Sequence, residues 1–381
     1  MRSIILQFSQ RTGWDHPFPK EMDSPRTLIL IFGDSEFTGL KQAVTDLYRT
    51  FPKSHLTGCS TAGEIYGSRV FENTLTVGII QFEYTDIRVE VEEIRESSLS
   101  FKMAETLAKR MVAPELKGLL VFSDGVHVNG TELLRGIDAV ISKDTVIAGG
   151  LAGDGPRFQK TWIIDKGEFA YQKIAIVGLY GSNLQISAAS LGGWDAFGPE
   201  RLVTRSVNNV LFELDGIPAL KLYKEYLGDR ASELPSSALL FPLSIRSEVL
   251  GREGLVRTIL SVDDKDNSMT FAGDIPTGSH ARLMKANFSR LIEGASGAAK
   301  LVSKDFSGTS ESLALAISCV GRKLVLGTRT EAETEATLAV LPKNTKQLGF
   351  YSYGEISPLA NGKCDLHNQT MTITLISEKK S

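Results

Sequence analysis

With 381 residues the chain is about twice the length of a typical domain, so two domains or two halves sharing one core are expected. Apolar residues at 42% and charged residues at 23% describe an ordinary globular chain and exclude extended disorder. The 42 Lys and Arg against 45 Asp and Glu leave a net charge of -3, so no basic stripe speaks for nucleic acid or an anionic membrane.

Residues 1–24 read as irregular because Pro17, Pro19 and Pro25 lie too close together for a helix. The apolar run from Thr27 to Phe32 then predicts a buried strand. Leu40, Ala43, Val44, Leu47 and Tyr48 follow at helical spacing, and a short strand is expected from His55 to Thr57. Alternating runs from Leu75 to Phe82 and Ile87 to Val91 predict strands. They precede a helix near Phe101 to Met111, a buried strand from Gly118 to Phe122, a helix from Gly130 to Ile141 and a strand from Thr145 to Ala148. Segments 161–164, 174–180 and 184–188 predict an antiparallel meander.

A composition shift over Val203 to Asn209 marks a candidate boundary, after which a helix from Pro218 to Leu227 opens with Pro and closes before Gly228. Strands near 257–262 and 269–271, a long helix from Arg282 to Val302, a strand near 313–318, a helix near 331–340 and strands near 348–353 and 370–376 complete the chain. The fold class is mixed α/β: two related halves, with mixed sheets flanked by helices. Cys59, Cys319 and Cys364 are too few and too scattered for a disulfide framework and suit reduced thiols in a cytoplasmic protein. No apolar run approaches the ~18 residues of a membrane helix, and the stretch from Met1 to Phe8 is too short for a signal-peptide core.

A repeat carries the most information. Gly58-Cys59-Ser60-Thr61-Ala62-Gly63-Glu64-Ile65 and Gly349-Phe350-Tyr351-Ser352-Tyr353-Gly354-Glu355-Ile356 share the pattern GxxxxGEI, and each precedes a Thr-x-Thr strand. The two copies imply a duplicated unit about a pseudo-twofold, with the loops facing each other across a shared cleft. A looser copy runs from Gly149 to Asp154. An acid following a glycine at a strand end aims a carboxylate into the crevice those ends line, which makes Glu64, Asp154 and Glu355 candidate ligand-facing acids. The competing reading is that each glycine permits a turn and each acid accepts backbone amides. Cys59, Ser60, Thr61, Asp124, Asn129, Tyr353 and Asn368 are candidate ligand contacts in or beside these loops.

No GxSxG elbow, Walker A loop, HExxH or GxGxxG motif occurs. Catalysis by a Cys59 nucleophile or by the pair Glu64 and Glu355 is the enzyme alternative. Among five histidines, His367 precedes a terminal strand beside a repeat loop, and His127 lies in a strand-to-helix loop. Either imidazole could ligate a metal or haem iron.

At these motifs the chain resembles the FIST family of sensory proteins. The matching segments are Gly58 to Ile65, Phe122 to Gly130, Ile147 to Gly155, Arg257 to Gly278 with Phe271-Ala272-Gly273-Asp274-Ile275-Pro276, Cys319 to Arg322, Gly349 to Ile356 and Leu366 to Thr370. The resemblance implies a FIST N-like domain over 25–207 and a FIST C-like domain over 208–381. It also implies intracellular sensing of a small ligand, with output through a separate partner such as a histidine kinase. Two ligands are implied. An amino acid would place its ammonium on Glu64 or Glu355 and its carboxylate on backbone amides or Arg322. Haem, found in a nitric-oxide-sensing branch of bacterial members, would use His367, with His127 in reserve.

Overall fold

The computed structural model describes residues 1–36, 39–234, 236–247, 251–304, 306, 311–359 and 362–379. Its organising element is a run of consecutive apolar residues buried on both faces, the form a strand takes when layers cover its sheet on either side. Among the described residues there are three such inner strands, Thr27–Asp34, Leu116–Ser123 and Ser312–Cys319. Each pairs in parallel with a second strand, His55–Thr61, Val146–Leu151 and Thr345–Ser352 respectively. A parallel pair needs a crossover connection. Helices Leu40–Thr50 and Gly130–Asp138 supply two of these, and helices Val320–Leu326 and Thr330–Leu338 together supply the third.

On its other side each inner strand takes an antiparallel return strand, Thr74–Gln81, Lys173–Tyr180 or Met371–Glu378. Each return strand takes an edge strand, Arg2–Ser9, Asp86–Glu93 or Leu184–Leu191. The mixed α/β class is therefore as the sequence implies, and the duplicated unit is present in both halves. The looser copy at 149–154 makes the relation threefold rather than twofold.

Between parallel strand and return strand, each unit sends out a hairpin that joins a neighbour's sheet. The hairpin Glu64–Tyr66/Arg69–Phe71 extends the third unit's sheet at Thr345–Ser352. Ile163–Asp165/Glu168–Ala170 joins the first sheet through Cys59, and Gly354–Pro358/Cys364–His367 joins the second at 149–151. The exchange is cyclic. It brings Phe32, Phe122 and Phe350, one from each unit, together with ring centroids 4.7 to 6.4 Å apart. Gly58, Gly149 and Gly349 lie opposite Ile31, Val121 and Ala316. A Cβ there would come within 1.7 to 1.9 Å of the partner carbonyl oxygen, which explains why the repeat opens on glycine.

Two expectations need correction. Residues 1–24 are not irregular throughout, because Arg2–Ser9 is a paired edge strand with Leu6 fully buried. From the remainder, Trp14 and Phe18 join Phe8 and Phe51 in an aromatic series against the first sheet, successive centroids lying 5.2, 4.8 and 6.1 Å apart. The helix expected from Arg282 is Phe288–Ser303, and His280–Lys285 is a strand that buries Ala281 and Leu283 in alternation.

That strand belongs to a module spanning 195–285, inserted in the third unit between its edge strand and helix Phe288–Ser303. Strand Asp195–Val207 pairs with His280–Lys285 and with Val210–Leu214. The position 207/208 thus falls at a turn within this module. Val203, Leu211, Leu220, Tyr223, Met269 and Phe271 give the module its own core. Among the described residues no helix is long and apolar enough to cross a membrane.

Candidate functional site

The inner strand Leu116–Ser123 stops because Asp124 turns the chain. Its carboxylate accepts the amides of Val126 and His127 at 2.8 and 2.6 Å, the His127 Nδ1 lies at 3.2 Å, and Thr161 Oγ1 donates to it at 2.8 Å. Asn129 then caps helix Gly130–Asp138 by accepting the Glu132 amide. Replacing Asn129 with Ala is expected to cost about 1 kcal/mol, read as a lowered denaturation midpoint, because that amide loses its acceptor.

A second wall comes from the third unit. The Tyr353 ring stacks on Phe158 at 4.1 Å between centroids and 12° between planes. The Tyr353 hydroxyl meets the Asp154 carboxylate and donates to the Gly155 carbonyl. Asp154 also accepts the amides of Phe158, Gln159 and Lys160 at 2.8 to 2.9 Å and so fixes the stacked ring.

The inserted module forms the third wall with Phe271-Ala272-Gly273-Asp274. Gly273 leaves the space that the Arg257 guanidinium occupies, since a Cβ would lie 2.9 Å from its Cζ and Nε. Arg257 is 1% exposed and donates to the carbonyls of Leu366 and Asp274, with Asp365 at 3.5 Å. Asp274 follows. Burial raises its pKa, an effect the Arg257 charge and the Asn129 amide only partly offset. Among the described residues its Oδ1 is buried with no hydrogen-bond partner.

These walls enclose a crevice of ≈ 250 Å³ lined by Asn129, Gly130, Phe158, Asp274 and Tyr353 among others. Beyond Asp274 lies a wider space of ≈ 510 Å³ that includes Arg135, Asp138, Arg257 and Asp365. Burial lifts Asp138 to about 6.

Of the residues singled out from sequence, Asn129 and Tyr353 line this crevice, Asp124 and Asp154 support it, and His127 sits beside Asp124. The others lie elsewhere. Cys59 is fully buried in the apolar core, which pushes its thiol pKa well up and removes the nucleophile reading. Ser60 exchanges hydrogen bonds with the Trp162 backbone. Thr61 and Thr74 bond Glu64, while Ser352 and Thr370 bond Glu355. Both acids are fully buried, and that burial lifts each to about 8.

The loops bearing these two acids do not face across a cleft. Tyr351 exchanges backbone hydrogen bonds with Ala62 and Gly63, so the loops are in direct contact. Both carboxylates are taken up by neighbouring hydroxyls and amides, and neither lines the crevice. Arg322 is 0% exposed, and its donors go to Glu333 and to the carbonyls of Gly192, Leu291 and Gln369. Nothing of its guanidinium is left for a ligand carboxylate. Asn368 is 1% exposed, and neither polar atom of its side chain has a partner among the described residues.

His367 is buried with Nε2 at 3.2 Å from the Ser357 carbonyl, and burial lowers its pKa to about 4. It lines neither crevice. Among the described residues no three His, Cys, Asp or Glu side chains gather as a metal cluster. With Nε2 against that carbonyl and neither crevice beside it, His367 does not fit an axial haem ligand.

Sequence reasoning missed Arg257, Phe158 and Asp274 as site residues. The signal for Asp274 was present, since Gly273-Asp274 has the same glycine-then-acid pattern as the repeat loops.

The FIST N domain model matches residues 27–217 and the FIST C domain model residues 219–358. The chain belongs to the FIST family. FIST domains are sensory, ligand-binding modules of signal transduction. The junction between the two FIST matches falls inside the inserted module, so both contribute to the crevice: Asn129 and Phe158 from FIST N, Asp274 and Tyr353 from FIST C. The uncharacterized protein MJ1623 of Methanocaldococcus jannaschii is 25% identical over 295 residues, covering 70% of this FIST chain and 56% of that protein. The match thus spans little more than half of that relative's length. A solved cyanuric acid hydrolase is 10% identical, with a TM-score of 0.28 over 75% of this chain and 99% of that one. The PurLQS structure from Thermotoga maritima is 8% identical, with a TM-score of 0.17 over 94% of this chain and 66% of that one. Neither likeness is close enough to inform fold or activity.

Proposed function

We propose that this chain senses a small amino-acid-type ligand in the crevice between the inserted module and the three-unit body, and signals through a separate partner such as a histidine kinase. The observation that carries this reading is Asp274 Oδ1 on the crevice wall, a buried carboxylate oxygen with no hydrogen-bond partner among the described residues. An ammonium would supply that donor as a charge-assisted hydrogen bond. The amino end of helix Gly130–Asp138 lies at the same crevice and favours a carboxylate, and the Phe158–Tyr353 stack offers an apolar wall for a side chain. A ligand held by Asp274 on one body and Asn129 and Tyr353 on the other would fix their relative orientation, a change that a partner can read.

The haem reading finds less support, because His367 is occupied at Nε2 and faces no crevice. The test is a thermal-shift series with single amino acids and with haemin. At 100 times its dissociation constant a ligand stabilises the folded chain by about 2.7 kcal/mol. One amino acid or a related amine is expected to raise the melting temperature, and Asp274→Asn to remove most of that rise. An undiminished rise in the variant would eliminate Asp274 as the ammonium partner, and a Soret band lost in His367→Ala would restore haem.

A further inference from the structure

The threefold arrangement puts the crevice just described at a recurring place, where the loop after one unit's parallel strand meets the segment after a neighbour's inner strand. Tyr353 and the stretch 125–130 make that meeting between the third and second units. The equivalent meeting between the first and third units, at Ala62, Gly63 and Val320, opens on a separate pocket of ≈ 480 Å³. Both pockets lie outside the carboxyl ends of parallel strands, the usual position of ligands in such sheets. The third meeting, between the second and first units, is bridged by Arg157, which donates to Ser35 Oγ at 2.7 Å.

We infer that the pocket between the first and third units is a second ligand site, selective for a small oxyanion, carboxylate or phosphate, held by Lys323 and Arg157 after Glu72 is displaced. The Lys323 side chain is 17% exposed, and its ammonium is lodged over the repeat loop by the Ala62 carbonyl at 2.7 Å and by Glu72. Gly63 makes this possible, because a Cβ there would lie 2.9 Å from Nζ. The glycine before Glu64 therefore positions a cation rather than merely permitting a turn.

An ammonium carries three N–H donors, and two have partners among the described residues. Its counterion Glu72 is 64% exposed, so that pair is weakly held and open to exchange with an incoming anion. Arg157 lines the same pocket, 35% exposed, with Asp34 and Asp154 no nearer than 3.7 and 4.0 Å. Its planar donor fork suits a carboxylate or phosphate. Asp34 remains in place by accepting the Glu36 amide, and its charge holds back dianions relative to monoanions. The inference does not depend on the ligand of the Asp274 crevice.

The test titrates the full chain at about pH 6, where inorganic phosphate is chiefly a monoanion, with phosphate and, separately, with acetate, followed by calorimetry at low ionic strength. Saturable binding of at least one is expected, and the arm that binds tells phosphate from carboxylate. Glu72→Gln should bind that anion about two- to fivefold more tightly, because removing an exposed competing pair is worth little more than that. Lys323→Met should bind it at least about tenfold more weakly. Absence of saturable binding in both arms, or affinity unchanged in Glu72→Gln, would overturn the site. Glu72 is exposed and its replacement does not threaten folding, so that arm decides the matter even where Lys323→Met is unstable.

Discussion

The urea midpoint of this protein is expected to fall as the pH rises from about 5 to about 8. Glu64 and Glu355 cause it. Each is enclosed by neutral hydroxyls and amides with no cation bonded to it among the described residues, and burial lifts each from 4.5 to about 8. In the unfolded chain both ionise near 4.5, so between 4.5 and 8 the folded state holds protons that the unfolded state has released. A raised pKa of this kind contributes stability that is full below the unfolded value and lost as pH climbs through the folded one. The slope is about 1.4 kcal/mol per pH unit for each group inside that window. Glutamine keeps the shape and can still accept from Thr370 while donating to the Ser352 hydroxyl, so Glu355→Gln should flatten half of the slope and raise the midpoint at pH 8. Equal steepness in wild type and in the double variant Glu64→Gln/Glu355→Gln would exclude these residues as the source.

The second large effect concerns Arg322. Its guanidinium lies fully buried, bonded to Glu333 through Nε at 3.0 Å and Nη2 at 2.7 Å. Glu333 in turn accepts the hydroxyls of Ser318 and Tyr351. Removing one member of such a pair leaves a buried charge without its counterion and costs about 3–5 kcal/mol. Arg322→Gln should show this loss in chemical denaturation and leave the affinity of the folded protein for the proposed amino-acid-type ligand unchanged. Weakened affinity at unaltered stability would return Arg322 to the ligand site.

Much of the scaffold is legible from the local order of apolar residues. The three inner strands are unbroken apolar runs, and only a sheet covered on both faces explains them. The strand at 280–285 is masked because its alternation, Ala281 and Leu283 inward, runs directly into the helical spacing that begins at Phe288. The strand at Arg2–Ser9 is hidden by the prolines that follow it. The GxxxxGEI loops mark where units meet, yet local pattern does not tell which glycine-acid pairs face a crevice and which face the interior. Gly63-Glu64 and Gly354-Glu355 are buried because their hairpins cross into neighbouring sheets, whereas Gly273-Asp274 sits on a module that stands beside the units. That distinction is made by pairing between residues far apart in sequence, which no local window contains.

The cyclic exchange of hairpins also sets an order of events during synthesis. The hairpin at Glu64–Tyr66 leaves the ribosome well before the strand it pairs with, through Glu64 opposite Phe350. Until then the nascent chain carries an open strand edge, the kind of surface that recruits foreign strands. Closure of the ring by the C-terminal unit is thus the step that ends this exposure, and contacts of such long range make it slow. A chain halted before Thr345 would lack the partner strand, which makes the strand Thr345–Ser352 the part on which escape from aggregation depends.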